Sequence, residues 1–431
     1  MLCSGVSNYL FAFGCSKLVK NIERKFSLQG DDASEISVSE IYEGISILAI
    51  SKSHRIIEIE DSKIFFRGWF QDHDSRGIVL GERGFEQWLK RGSNRDHALN
   101  NDYEGAYVSA IFADGKLRIR NDKFSYLPVI HFSTKKLFVC SDSMYVISEV
   151  RKSLGMPCTL NQNVMHSRAW THGLSCAVMS NQTQIKDVEL LSPGKHIEIK
   201  IRKKAFSSSH SLETKSIVKS SDLKQTFAVK FDNYQSAIRD AATRMAQSTL
   251  SLLEIDDVMI KFGLSGGLDS RVILAAVLQK PDLLDKISIS TNTHPSRKGD
   301  FEVVEKLSEL FSFKFNDAEK IRAHKKKHSL KLEKIENRFS LWVLSCMGLF
   351  DMMYLHDSYW PEPHIIDMGG HGAESIKGTF SPMKFEHYIK PKKISSKAKF
   401  SRKGFRYMRE AKEANTVHDA IRSELSNTLA T

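Results

Sequence analysis

The chain reads as a protein of α/β and α+β class: a β-rich layered domain over residues 1–205, followed by a parallel-sheet α/β domain over residues 206–431. Three observations predict this. Residues from about 35 to 145 alternate short β-rich runs with turns. Past residue 230, helical and strand patterns alternate in the order that lays a parallel sheet between helices. Between them, KKAFSSSHSLETKSIVKSSDLKQ carries no strong periodicity and reads as a linker or an exposed edge.

In the first half, MLCSGVSNYLFAFGCSKL lacks the basic n-region of a signal peptide, although its apolar patch resembles an h-region. The strand runs that follow are ISILAISK, KIFFRGWF, GAYVSAIFADGKLRIR and LPVIHFSTKKLFVCS. Asp114-Gly115 is a hairpin signal, and Ser133-Thr134-Lys135 separates a second pair. Helices are expected at GFEQWLKRG and at SMYVISEVRKSLG, the latter stopping at Gly155.

In the second half, NYQSAIRDAATRMAQSTLSLL has the period of an amphipathic helix. It is followed by the strand VMIKFGL, the turn SGGLDS, the helix RVILAAVLQK, the strand DKISIST and the helix FEVVEKLSELF. The apolar stretch Phe339–Leu355 is broken by Ser340, Ser345, Gly348 and Asp351, so it reads as a buried helix and not a membrane span. Tyr354 and His356 at its end read as boundary residues or as pocket groups.

A net charge of +12 favours anionic partners through the overall field, but no aromatic stacking motif accompanies it, which argues against nucleic acid. The cysteines at 3, 15, 140, 158, 176 and 346 form no CxxC pair and are too sparse for a disulfide framework. They fit a reducing compartment, and a cytoplasmic protein is the expectation.

The chemistry is carried by Leu264-Ser265-Gly266-Gly267-Leu268-Asp269-Ser270, placed between a strand and a helix. Ligands of open α/β sheets bind beyond the C-terminal ends of the strands. Two glycines let the backbone approach a bulky anion, while the Ser265 and Ser270 hydroxyls and the amides of the helix N-terminus offer donors to phosphate oxygens. Asp269 would repel a bare phosphate, so its presence implies an intervening Mg²⁺. A bare S-G-G pair reads as a capped strand-to-helix turn. The whole heptapeptide in this setting reads as a nucleotide loop.

These residues resemble the asparagine synthetase-like family of ATP pyrophosphatases, whose SGGxDS loop binds ATP and supports cleavage between its α and β phosphates. Glu104-Gly105-Ala106-Tyr107 through Phe112, with Asp122 to Pro128, is similar to that family's GxFAFALWD…RDRFGIKPLYY segment. Leu191-Ser192-Pro193-Gly194-Lys195-His196 is similar to its LPPGHYL turn, and Gly370-His371-Gly372-Ala373-Glu374 to its GEGADE element. The matches run from about residue 65 to residue 378. The resemblance implies an N-terminal Ntn-hydrolase-like layered domain and an adenine nucleotide alpha hydrolase-like synthetase domain.

It further implies that Leu264 contacts adenine through its backbone, with the ring laid along the strand end at Thr291. Ser265, Gly266, Gly267 and Ser270 would cradle the phosphates beside Gly370, and Asp269 and Glu374 would ligate magnesium. Asp300 is similar to the acidic start of the next family helix, and equally reads as an N-cap.

The departures are as informative. A glutamine-hydrolysing member needs a terminal cysteine whose own amine serves as base. This chain begins Met1-Leu2-Cys3, and Arg67 stands where the family's NGEIYN strand has an oxyanion-binding Asn. The glutaminase-like domain is expected to lack glutaminase activity. Only 57 residues follow Glu374, where the family places a helical region with a catalytic lysine. The basic residues Lys390, Lys392, Lys393, Lys397, Lys399, Arg402, Lys403, Arg406 and Arg409 there read as a solvated face or as an anion-binding group.

The expected function is an AMP-forming amide ligase using ATP and Mg²⁺, with a small-molecule or peptide carboxylate as substrate and an amine as acceptor, working as a homodimer or in a biosynthetic complex. The alternative is a non-catalytic scaffold or regulatory subunit of such a complex.

Overall fold

The computed structural model describes residues 7, 9–27, 34–52, 56–72, 77–91, 103–122, 125–167, 181–192, 195–203, 210–218, 233–255, 258–317 and 365–369. The first half contains β1 (Tyr9–Cys15), α1 (Ser16–Ser27), β2 (Ser34–Tyr42), β3 (Ile45–Lys52), β4 (Ile57–Ile59), β5 (Ser62–Gln71) and β6 (Ile78–Leu80). Next come α2 (Gly81–Leu89), β7 (Glu104–Ala113), β8 (Lys116–Asn121), β9 (Ile130–Ser133), β10 (Leu137–Ser141) and α3 (Met144–Ser153). The half closes with α4 (Gln162–Ser167), β11 (Glu189–Leu190), β12 (Lys195–Lys203) and β13 (His210–Val218).

These strands form two sheets, in the orders β11-β9-β10-β1-β3-β2 and β13-β12-β8-β7-β5-β4, with β6 added on β5. Neighbouring strands in both run antiparallel, as the hairpin signals require. At the β7–β8 turn, Asp114 and Gly115 both take positive φ, 51° and 70°, the geometry that matches the strand twist. Strand alternation then decides the layers. Phe11, Phe13 and Ile47 of the first sheet meet Phe65, Val108 and Ile119 of the second in a shared core. On the outer face of the first sheet, Leu10 and Ala12 pack with Val19 and Ile22 of α1 and with Met144, Ile147 and Val150 of α3. On the outer face of the second, Phe66, Phe70 and Tyr107 pack with Phe85 and Trp88 of α2. The order of layers is helix, sheet, sheet, helix.

The apolar patch near the N-terminus is thus β1, inside the first sheet and buried on both faces. β13 lies in the Ser/Lys-rich stretch read as a linker or an edge; it pairs with β12 from Lys195↔Val218 to Lys203↔His210, so the sheet continues past residue 205 as its edge strand.

The second half begins with α5 (Tyr234–Leu253), which Asn233 caps by accepting the Ser236 N–H at 2.9 Å. It continues with β14 (Met259–Gly263), α6 (Leu268–Val277), β15 (Ile287–Ser290), α7 (Lys298–Phe311) and β16 (Ile365–Met368). β14 lies between β15 and β16 and is parallel to both. Ile260, Phe262, Ile287 and Ile289 form a core with Leu253 of α5, Leu274 and Val277 of α6, and Val304 of α7. The two halves touch where the Ile78 N–H donates to Ser251 Oγ of α5 at 3.1 Å. Among the described residues no helix is long and apolar enough to cross a membrane.

Candidate functional site

The SGGLDS turn leaves the C-terminal end of β14, the middle strand of the parallel sheet, and opens α6 at Leu268. Gly267 is the N-cap and supplies no side chain, so the first amides of α6 are not capped from within. The turn is held by its two serines. The Ser265 N–H donates to Ser270 Oγ at 3.1 Å, the two hydroxyls lie 3.1 Å apart, and the Gly267 N–H donates to Ser265 Oγ at 3.2 Å. Ser270 Oγ also reaches the carbonyls of Ser265 and Gly267, at 3.2 and 3.3 Å. Ser265 is exposed, whereas Ser270 is 4% exposed. The two hydroxyls that the sequence places together as phosphate donors are therefore not equivalent.

Gly266 faces α7. A Cβ there would stand 2.7 Å from Asp300 Oδ1 and 3.0 Å from the Asp300 Cα. Asp300 is not the N-cap of α7; that position is Arg297, and Asp300 sits in the first turn, where the helix dipole favours a carboxylate. Arg297 Nη1 lies 3.6 Å from Asp300 Oδ2. The sequence marks Asp300 only as an acidic helix start, and its packing against the loop is a tertiary contact.

On the side where adenine is expected, Leu264 is buried and its N–H donates to Ser290 O at 2.9 Å, so its amide is already committed. The Thr291 N–H donates to Asn316 Oδ1 at 2.9 Å, and the Asn316 N–H donates to Ile289 O at 2.9 Å. The buried Thr291 Oγ1 has no hydrogen-bond partner among the described residues. Asn316 is a site neighbour that the sequence reading missed; its φ of 53° is a conformation that Asn tolerates, and an Asn after the apolar FKF run is the one signal that marked it.

Asp269 lies in the first turn of α6 and is partly exposed. Gly370 and Glu374 lie outside the described residues, as do Cys3, Tyr354, His356 and the basic run from Lys390 to Arg409. Among the described residues no group of three His, Cys, Asp or Glu side chains is arranged to hold a metal. The residues that are described fit a Mg²⁺-bound triphosphate in chemistry: an exposed hydroxyl, helix-start amides and one carboxylate, with Thr291 Oγ1, which has no hydrogen-bond partner among the described residues, at the expected adenine edge.

Just ahead of β1, the Ser7 hydroxyl lies 2.5 Å from Asp142 Oδ1 and 3.0 Å from Ser141 Oγ. Tyr9 is fully buried, and its hydroxyl donates to Pro128 O at 2.9 Å. Burial, with the nearby Cys140 and Asp142, holds its phenol well above the usual range. Arg67 pairs in register with Val108 of β7. Asp122 of the family-like segment accepts the N–H groups of Tyr126 and Leu127 at 2.9 and 3.1 Å, which gives it a turn-forming role.

The chain matches no protein-family model and no curated protein. Among solved structures it is similar to the allosteric regulatory enzyme of purine biosynthesis, at 9% identity and a TM-score of 0.30, over 62% of this chain and 63% of that one. It is also similar to the glutamine phosphoribosylpyrophosphate amidotransferase of B. subtilis complexed with ADP and GMP, at 9% identity and a TM-score of 0.29, over 63% of each chain. The chain therefore spans 63% of the length of each of these structures.

Proposed function

We propose that the protein is an ATP-dependent, AMP-forming ligase that joins a carboxylate to an amine and has no glutaminase activity of its own. The observation that carries this reading is the glycine-bearing turn at the C-terminal end of a central parallel strand, with an exposed Ser265 hydroxyl and an uncapped helix start beside a carboxylate. Bound Mg·ATP would supply an adenylyl group to the carboxylate with loss of pyrophosphate, and the amine would then take the acyl group with loss of AMP. Ser265 and the amides at the start of α6 would hold the departing phosphates, and Asp269 would hold the metal, which would offset their charge. The resemblance adds Glu374 as a second metal ligand and Gly370 beside the phosphates. The intact SGGLDS loop, with Asp269 and both glycines together, favours a ligase over a scaffold.

The test is product identity. With the right carboxylate and amine, the protein is expected to release AMP and pyrophosphate; ADP and phosphate would contradict the reading. Asp269→Asn is expected to weaken Mg·ATP binding in titration calorimetry. Glu374→Ala is expected to abolish turnover while leaving part of the nucleotide binding, since one lost electrostatic contact of this kind costs about a hundredfold in rate.

A further inference from the structure

We infer that the two serines of the loop divide the work: Ser270 is a positioning residue that braces the turn from inside, and Ser265 is the hydroxyl that meets the phosphate. This rests on the nucleotide reading above and changes the role that the resemblance gives Ser270.

Access is the first reason. Ser270 is 4% exposed and Ser265 is open to solvent, so a triphosphate approaching from outside meets Ser265 first. Saturation is the second. Ser270 Oγ accepts the Ser265 N–H at 3.1 Å and has three acceptors within 3.3 Å for its own single proton: Ser265 Oγ, Ser265 O and Gly267 O. A phosphate oxygen would have to draw that proton away from the three oxygens already competing for it. Ser265 Oγ accepts the Gly267 N–H at 3.2 Å, so without nucleotide the hydroxyl occupies the place of an anion at the helix start. When a phosphate oxygen takes that amide, Ser265 turns its own O–H toward the same oxygen. The Ser265 N–H keeps its bond to Ser270 Oγ throughout.

The brace and the anion contact predict different variants. Hydrogen exchange on the full chain is expected to show the Ser265 amide protected. Ser270→Ala should lose that protection, lower the melting temperature and weaken Mg·ATP, because the nucleotide must then order the loop. Ser270→Thr, which keeps the hydroxyl, should restore the protection and most of the affinity. Ser265→Ala should keep the Ser265 amide protected, because that bond goes to Ser270 Oγ, and should weaken Mg·ATP about tenfold, the scale of one hydrogen bond to a charged group.

A Ser270→Ala protein with unchanged exchange at Ser265 and lost affinity would overturn the inference, since Ser270 would then touch the phosphate directly. So would a Ser265→Ala protein with full affinity. The exchange arm uses no nucleotide. If the unaltered protein fails to bind Mg·ATP, the ligase reading falls, and the exchange of the Ser265 amide still decides whether Ser270 is the brace.

Discussion

Gly266 and Asp300 meet so closely that the loop is seated on the first turn of α7 as well as on α6. With a Cβ at Gly266, rotating the carboxylate would relieve the clash at Oδ1 but not the approach of 3.0 Å to the Asp300 backbone. Gly266→Ala must therefore move backbone. It is expected to cost about 1–3 kcal/mol of stability, as overpacking does, and to weaken Mg·ATP at least ~10-fold. The pair Gly266→Ala with Asp300→Ala should remain impaired, because removing the carboxylate leaves the helix backbone where it was. Thermal melting and calorimetry that return unaltered values for Gly266→Ala would show that the loop is not seated there.

His131 on β9 stacks against Phe138, ring centroids 5.7 Å apart, and desolvation pushes its pKa down to about 4. The ordinary value is about 6.5, so between the two the unfolded chain takes up a proton that the folded protein refuses. This contribution to stability is complete above about pH 6.5 and is lost as pH falls toward 4. His131→Phe should remove that part of the pH dependence, on the order of 2 kcal/mol for a residue that keeps some exposure. Urea melts of both proteins at pH 7 and pH 4.5 check it; equal losses on acidification would sink the assignment.

The three described thiols should react in a fixed order. Cys15 and Cys158 are partly exposed, whereas Cys140 is buried, and burial with the Asp142 charge pushes its thiol far up. The thiolate is the nucleophile. Iodoacetamide on the native protein is expected to label Cys15 and Cys158 while Cys140 stays intact, and peptide mass spectrometry reads the sites. Early label on Cys140 would mean that the first sheet opens readily.

No glutamate should be released from glutamine. β1 opens at Tyr9, whose hydroxyl is buried and spent on Pro128, and Ser7, two positions before it, is paired with Asp142. Glutaminase activity that depends on Cys3 would contradict this. Tyr9→Phe is expected to cost about 1 kcal/mol of stability, the usual worth of one buried hydrogen bond.

The sequence made the loop, its flanking strand and helix, and the Asp114-Gly115 hairpin legible, because each is local: a period, a pair of glycines, a turn dipeptide. The segment YLFAFG of β1 was not, because a strand buried on both faces loses the alternation that marks a strand and looks like any short apolar run. β13 was half legible, since its polar composition suits an edge as well as a linker. The contact of Gly266 with Asp300, and the use of the Thr291 amide by Asn316, join residues 34 and 25 positions apart. Nothing in either local pattern signals them. The inequality of Ser265 and Ser270 belongs to the same class, because burial is decided by the packed core and not by the motif.

β14 has one neighbour from just downstream, β15, and another, β16, that begins at Ile365, about a hundred positions later. During synthesis the strand that leads into the loop therefore emerges from the ribosome long before its second flank exists. Until Ile365–Met368 arrives, one side of Met259–Gly263 carries unpaired amides and carbonyls next to an apolar face, the kind of edge that invites pairing with another nascent chain. A stop anywhere before residue 365 leaves that edge open for good. Truncated products are expected to aggregate through Met259–Gly263, and a chain that has reached Met368 is expected to escape.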